Sequence, residues 1–384
     1  MAQIKPPFET FARIKVVGVG GGGNKAIQRM MAAKIRGVEF VAINLDAQDL
    51  NIANAPTKIL IGKNITRGLG AGMNPEVGQE AAQENKDEIS EALKGSDMVF
   101  ITAGLGGGTG TGAAPVIAEI ARDLGALTIG VVTKPFSFEG MARMRIAEEG
   151  WGLLRDKVDA LITISNDRLL SIIDRKTPLL EAFHKVDDVL HQGVQGISDL
   201  ITVPGIINVD FADVRTIMQN SGSALMGIGT ASGEDRAIDA AKAAINSPLL
   251  DISIDGARGV LFNVSGGADL AMAEISEAAK IITASIDPNA KVIFGAVQDD
   301  TLKKGEIQVT VIAAGFNAPM AKAASSNQVQ ATTFFGTPAP GGNGSIINRR
   351  EEPIIPEKPI AQVVDSTVED DEFEIPAFIR RKMK

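Results

Sequence analysis

Residues 104–112 read GLGGGTGTG, with six glycines in nine positions, and this is where the sequence offers its clearest chemistry. The apolar run at 97–103 (DMVFITA) precedes the loop, and a helical apolar repeat follows it near 113–124. A turn from strand to helix gathers backbone N–H groups at the positive end of the helix dipole, where an anion is held. Glycine lets that backbone wrap round phosphate oxygens, and Thr109 and Thr111 add hydroxyl donors. A turn that binds nothing needs only one or two glycines. A second run, Gly20 to Gly23, follows the apolar stretch 13–20 (RIKVVGVG). Taken alone it fits either a plain β-α turn or a Rossmann dinucleotide loop with Asp46 as the acidic residue about twenty positions on. The third cluster is NVDFAD at 208–213. On its own it reads as Asp210 capping a helix with Asp213 at the third helical position, an Asp analogue of the capping box.

Several chemistries are excluded. The chain has no cysteine, hence no disulfide, Cys-based zinc site or thiol nucleophile. Neither a GxxxxGK[ST] phosphate loop nor an NKxD guanine motif occurs. His184 and His191 are seven apart, so they share a helix face but lack the i, i+4 spacing and carboxylates of a metal pair. They read as surface or interface residues, and no metal-ligating residue is expected. A formal charge of −9 excludes a whole-protein basic field for nucleic acid.

These residues need a frame to position them. Apolar runs at 13–20, 38–43, 97–103, 126–132 and 158–164 alternate with helical patterns at 26–35, 113–124 and 139–154. That alternation predicts a doubly wound, mostly parallel sheet with ligands at the carboxyl ends of its strands. Leu179, Phe183, Val186, Leu190, Val194, Ile197 and Ile201 then form one stripe of steps of three and four, a long helix with Pro178 in its first turn and Thr177 as cap. Beyond it the pattern predicts a smaller α+β unit, with helices at 213–220, 234–246 and 269–285 and strands at 223–230, 259–264, 291–297 and 307–313.

At 384 residues the chain has room for two cores. The expected division is an N-terminal extension (1–12), a nucleotide-binding domain (13–176), a central helix (177–202), an α+β domain (203–316), a disordered linker (317–366) and a C-terminal peptide (367–384). Residues 318–366 are rich in Ala, Ser, Asn, Gly and Pro with little to bury. The end, EDDEFEIPAFIRRKMK, sets Ile375, Phe378 and Ile379 between acidic and basic blocks, as in a segment that folds on a partner. No run of 18 apolar residues could span a membrane, and MAQIKPPFETFARIK has no apolar signal core, so a cytoplasmic protein without membrane insertion is expected.

GGGTGTG at 106–112 resembles the signature loop of the tubulin/FtsZ family of GTPases. TRGLGAGMNPEVG (66–78), PFSFEG (135–140), NDRLL (166–170), QGVQGISDLI (192–201) and NVDFADV (208–214) extend the resemblance over about residues 11–316, with the last dozen residues besides. It implies a GTPase that polymerises head to tail and forms the bacterial cytokinetic ring at mid-cell, with GTP or GDP and Mg²⁺ as cofactors. The implied nucleotide site comprises Gly21, Gly22, Ala71, Gly72, Gly104, Gly107, Gly108, Thr109, Gly110, Glu139 and Arg143, with Gly70 to Gly72 at the γ-phosphate. Asn166 and Asp187 would pair with the guanine edge, and Phe183 would pack beside it. Without the resemblance, Phe183 reads as core and Asp187 as a solvated helix charge. Asn208, Asp210 and Asp213 would enter the nucleotide pocket of the next subunit, where the two carboxylates orient the attacking water and the metal. Ile375, Pro376, Phe378 and Arg380 would dock on membrane-tethering division proteins.

Four positions depart from the family pattern. Lys25 stands where Asn is usual, Leu45 where Thr is common, Met73 where Ala is common, and Ser165 where Pro precedes NDR. Two other functions compete with the GTPase. A nicotinamide-dependent oxidoreductase would need one phosphate loop and a catalytic acid or base, and the second glycine loop and the Asp pair speak against it. A scaffold that binds nucleotide without turnover would be favoured by an altered Asp210 or Asp213, and both are present.

Overall fold

Apolar β-branched runs separated by glycine turns fold as the alternation predicts. The computed structural model describes residues 12–170, 177–203, 205–248, 250, 253–299 and 302–316. Residues 1–11, the linker and the C-terminal peptide with Ile375, Pro376, Phe378 and Arg380 lie outside the described residues. In chain order the first elements are β1 (Ile14–Val19), α1 (Gly20–Ala32), β2 (Val38–Asn44), α2 (Ala47–Ile52), β3 (Thr57–Leu60), α3 (Lys63–Thr66), α4 (Pro75–Glu84) and α5 (Lys86–Leu93). There follow β4 (Met98–Gly104), α6 (Gly108–Asp123), β5 (Leu127–Lys134), α7 (Met141–Arg155), β6 (Ala160–Ser165), α8 (Asn166–Leu170) and α9 (Leu179–Thr202). The remainder is α10 (Phe211–Met218), β7 (Gly222–Ser232), α11 (Arg236–Ile245), β8 (Gly259–Gly266), α12 (Met272–Thr283), β9 (Lys291–Gln298) and β10 (Glu306–Ala314).

The strands make one sheet, in the order β3-β2-β1-β4-β5-β6-β7-β10-β8-β9. From β3 to β6 all pairings are parallel. The α+β part joins through a short parallel pairing of 160–162 with 222–224, and β10 runs antiparallel to β7 and β8. Side chains on successive strand residues leave opposite faces. Ile14 and Val16 pack with α1 and α9, while Val17 and Val19 pack with α4 and α6. A third cluster fills the space between α11, α12 and strands β8 to β10. This is the doubly wound, mostly parallel sheet with a long helix and a smaller α+β part that the sequence predicts.

Two local expectations shift. Pro178, not Thr177, occupies the cap position of α9, because Pro178 holds an extended ψ of 147° and the first helical residue is Leu179. No side chain caps that helix. Asp210 does cap α10, accepting from the Ala212 N–H at 3.3 Å, whereas the returning half of a capping box from Asp213 is not formed.

Candidate functional site

β1 and β4 are parallel neighbours in register, Val19 opposite Ala103, so the turns that leave them lie side by side. They touch through glycine. A Cβ on Gly20, whose φ is +69°, would come within 3.0 Å of the Gly110 nitrogen, and one on Gly22 within 3.4 Å of the Gly104 nitrogen. The loop at 70–74 closes over the same place, for a Cβ on Gly108 would meet the Ala71 Cβ at 2.6 Å and the Asn74 nitrogen at 2.8 Å. Gly70, Gly72 and Gly107 instead face open space. Three loops thus converge on the N-terminus of α6, where Gly107 is the cap and no side chain occupies the first amides. An anion is favoured there. Thr109 is half-buried, but Thr111 is turned inward. Its hydroxyl accepts from the Gly106 N–H at 2.9 Å, so it shapes the loop.

Asn166 follows β6 at the same edge of the sheet. It is buried, and its Oδ1 has no partner within the protein. Phe183 on α9 is 40% exposed, not core, with its ring edge-on to Phe136 at 5.5 Å. Glu139 accepts from the Phe136 N–H at 2.9 Å and pairs with Arg143. Burial pushes the Asp187 carboxyl up to about 6, against the opposing charges of Arg29, His184 and Lys25. It is therefore a half-buried acceptor poised between two charge states, not a solvated helix charge. Exposed Lys25 acts on Asp187 and on Asp49, so this departure stands at the rim of the same pocket.

The structure adds Asn24, which sequence reasoning passed over. It sits in the first turns of α1, is 3% exposed, and neither polar atom of its amide is paired. Its one signal was a polar residue directly behind the glycine run. Asp46, the acid of the dinucleotide alternative, caps α2 by accepting from the Gln48 and Asp49 amides, so it serves the chain itself. His184 and His191 are half-buried, each with one ring nitrogen shut away from water and unpaired, and burial lowers the His191 pKa.

Asn208, Asp210 and Asp213 are exposed and lie elsewhere. The Asn208 Oδ1 accepts from the Gly205 N–H at 2.6 Å, which folds the loop after α9. α10 leads straight into β7, whose first residue pairs with the first residue of β6, Ala160. Arg215 on α10 also donates to the Gly125 carbonyl, just before β5. The two carboxylates thus stand at the N-terminal edge of the parallel strands, while the glycine loops stand at the C-terminal edge. Eight-residue β5 alone separates those edges by about 25 Å.

Comparison with known proteins bears on this arrangement. Residues 13–174 match the tubulin/FtsZ family GTPase domain, and residues 222–317 match the FtsZ family C-terminal domain. FtsZ from M. jannaschii superimposes with a TM-score of 0.77 at 50% identity, over 80% of this chain and 89% of that one. The chain belongs to the FtsZ family. Family membership makes it a GTPase that binds GTP and GDP. CetZ1 from Haloferax volcanii, at 22% identity and a TM-score of 0.70, shares the fold. The pocket of this FtsZ family member also suits a nucleotide on its own geometry: a glycine cradle at a helix N-terminus, with the unpaired buried amide of Asn24 and the unpaired Asn166 Oδ1 beside it. No helix among the described residues is long and apolar enough to cross a membrane.

Proposed function

We propose that this GTPase polymerises head to tail and builds the cytokinetic ring of a dividing cell, each active site being completed by the next subunit. One observation carries the reading: the nucleotide cradle and the Asp210/Asp213 pair occupy opposite edges of one sheet. α9, 24 residues and about 36 Å long, runs between them. Carboxylates held at a helix start can orient a water on a phosphate, and here the reachable phosphate belongs to a neighbour. Such a contact does not close on itself, so it propagates as a filament. A dimer of M. jannaschii FtsZ supports self-association. Under this proposal Gly21, Gly22, Gly104, Gly107, Gly108, Thr109 and Gly110 hold phosphates, with Ala71 and Gly72 over the γ-phosphate, Glu139 and Arg143 near the ribose and phosphates, and Asn166, Asp187 and Phe183 at the base. The division at 13–176, 177–202 and 203–316, and the docking of the 367–384 peptide on a membrane-tethering partner, belong to the same proposal. Mg²⁺ would neutralise the phosphates. Among the described residues no group of three His, Cys, Asp or Glu side chains is placed to hold a metal, so no residue is assigned to it.

Sedimentation and phosphate release with GTP, GDP and ATP side by side test the proposal. Filaments and turnover should appear with GTP alone, because a pocket that pairs with the guanine edge leaves its own polar groups unsatisfied by adenine. The chain without residues 367–384 should behave the same but fail to bind vesicles carrying the tethering partner. Equal turnover of ATP, or turnover without assembly, overturns it.

The state of Asp187 gives a pH dependence. Its folded pKa lies above the ordinary value of 3.8, so the empty protein binds the extra proton and loses stability as pH rises from about 4 to 6. Guanine N–H groups need the ionised carboxylate. GTP affinity should therefore fall as pH drops below 6, by about tenfold at pH 5. In Asp187→Asn the affinity should be weaker and flat with pH. Fluorescent-nucleotide titration between pH 5 and 8 decides, and a flat profile in the unaltered chain removes Asp187 from the base contact.

A further inference from the structure

Lys25 is a cation beside the nucleotide cradle that the fold leaves unclaimed. It is exposed in the second turn of α1, and among the described residues no hydrogen bond or ion pair holds its ammonium. Arg29, one turn farther along the same face, is taken: its guanidinium pairs with Asp188 of α9 at 3.4 Å.

Helix geometry aims Lys25 at the first glycine loop. Gly21 lies four positions earlier, so the two Cβ positions are about 5–6 Å apart. Side chains on a helix lean toward its N-terminus, which carries the Lys25 stem toward the Gly21 turn. Its four-carbon stem is long enough to cross one turn of about 5.4 Å. Asp49 of α2 reaches the same point from the other side, for its Oδ2 stands 3.4 Å from where a Gly21 Cβ would be. Lys25 and Asp49 are thus brought together across Gly21. Burial raises the Asp49 carboxyl, and among the described residues Lys25 is the one cation that acts to lower it. The same ammonium acts on Asp187 of α9.

Asp49 is an obstacle to an anion. The Asn44 amide fixes its carboxylate at 2.8 Å, and from there the negative charge repels phosphate oxygens held at Gly21 and Gly22. A cation must offset it, and Lys25 is placed to do so. Resting on the reading of the glycine cradle as the phosphate site, we propose that Lys25 is a nucleotide-binding residue, whose ammonium meets the phosphates of the bound nucleotide and offsets the Asp49 carboxylate. In the nucleotide-free chain the ammonium is shared between Asp49 and Asp187, and the greater charge of the phosphates draws it over. The family pattern has Asn at this position, so the charge is this chain's own addition.

Calorimetric titration of the full chain with GDP and with guanosine, at low and high salt and without divalent cations, is the test. Lys25→Ala should bind GDP about tenfold more weakly at low salt, the loss of one charge-assisted contact, and the gap should narrow at high salt. Guanosine, which has no phosphate, should bind both chains alike. Lys25→Arg should keep most of the GDP affinity. Asp49→Asn should tighten GDP binding and, combined with Lys25→Ala, recover most of the loss, since the two sites are coupled. Circular dichroism checks folding, and the Lys25 variants decide alone should Asp49→Asn be unfolded. Undiminished GDP binding by Gly108→Ala with Thr109→Val would overturn the cradle reading, and the proposal with it. With the cradle upheld, equal GDP affinity of Lys25→Ala and the unaltered chain at low salt means that the ammonium stays in solvent. A loss of guanosine affinity as large as that of GDP means that Lys25 only shapes the pocket. Either result ends the proposal.

Discussion

Asp213→Ala should bind GTP as tightly as the unaltered chain and hydrolyse it about 100-fold more slowly or worse, the loss expected when a positioned acid-base group is removed. The substitution leaves folding alone, because the Asp213 side chain is exposed and the turn is held by backbone, with its N–H donating to the Asp210 carbonyl at 3.1 Å. Binding survives because the residue stands at the opposite edge of the sheet from the glycine loops. A partner variant, Gly108→Ala with Thr109→Val, has the reverse defect. Its new methyl collides with Ala71 and Asn74, and its own pocket fails while its Asp loop stays intact. Mixed together, the two should recover turnover, since the second caps the nucleotide of the first. Phosphate release against mixing ratio, with co-sedimentation proving mixed filaments, reads the result. A near-zero additive rate in proven mixed filaments would place the carboxylates in their own subunit's chemistry.

Gly112→Ala should be among the most destabilising single-methyl changes in the protein. α4 and α6 approach so closely that a Cβ at Gly112 would sit 1.9 Å from the Pro75 carbonyl oxygen and 2.8 Å from the Gln79 nitrogen. Both obstacles are backbone, so neither can rotate aside. α4 must withdraw, and Asn74, its cap, carries the 70–72 loop away from the phosphate cradle with it. Overpacking of this kind costs about 1–3 kcal/mol and sometimes more. For a fold of this size that lowers the melting temperature by several degrees, about 2–4 °C per kcal/mol. GTP affinity should fall in the same variant. Gly152→Ala is the matched control: it lies inside α7 with open space where its methyl would go, and helix propensity favours the change by about 0.5–1 kcal/mol. Equal melting of the two variants, measured by circular dichroism, would mean that the α4–α6 contact yields freely.

The strands that carry the cradle were legible because they are long, apolar and β-branched, and each is followed by glycine. The short elements were not. Thr57–Leu60 and helices such as Lys63–Thr66 are half-exposed pieces too brief for any apolar period to show. Phe183 shows a different limit. It falls on the apolar stripe of α9, yet it is 40% exposed, because the stripe passes the end of the sheet and emerges beside Phe136. Periodicity gives the face of a helix, not what the fold sets against each turn of that face.

By itself, then, the sequence determined the alternation of strand and helix, the glycine loops that open helices α1 and α6, and the cap at Asp210. These depend on residue type and on neighbours a few positions away. Only the tertiary structure decided which way Thr111 turns, that the Asn24 amide and the Asn263 Oδ1 are buried without partners, and that burial lifts Asp187 and Asp199. It alone put the glycine loops and the Asp pair at opposite edges of one sheet. Those outcomes depend on strand order, on register and on water excluded by segments a hundred or more residues away. Desolvation and strand pairing act through space, and no local pattern of residues encodes the distance over which they act.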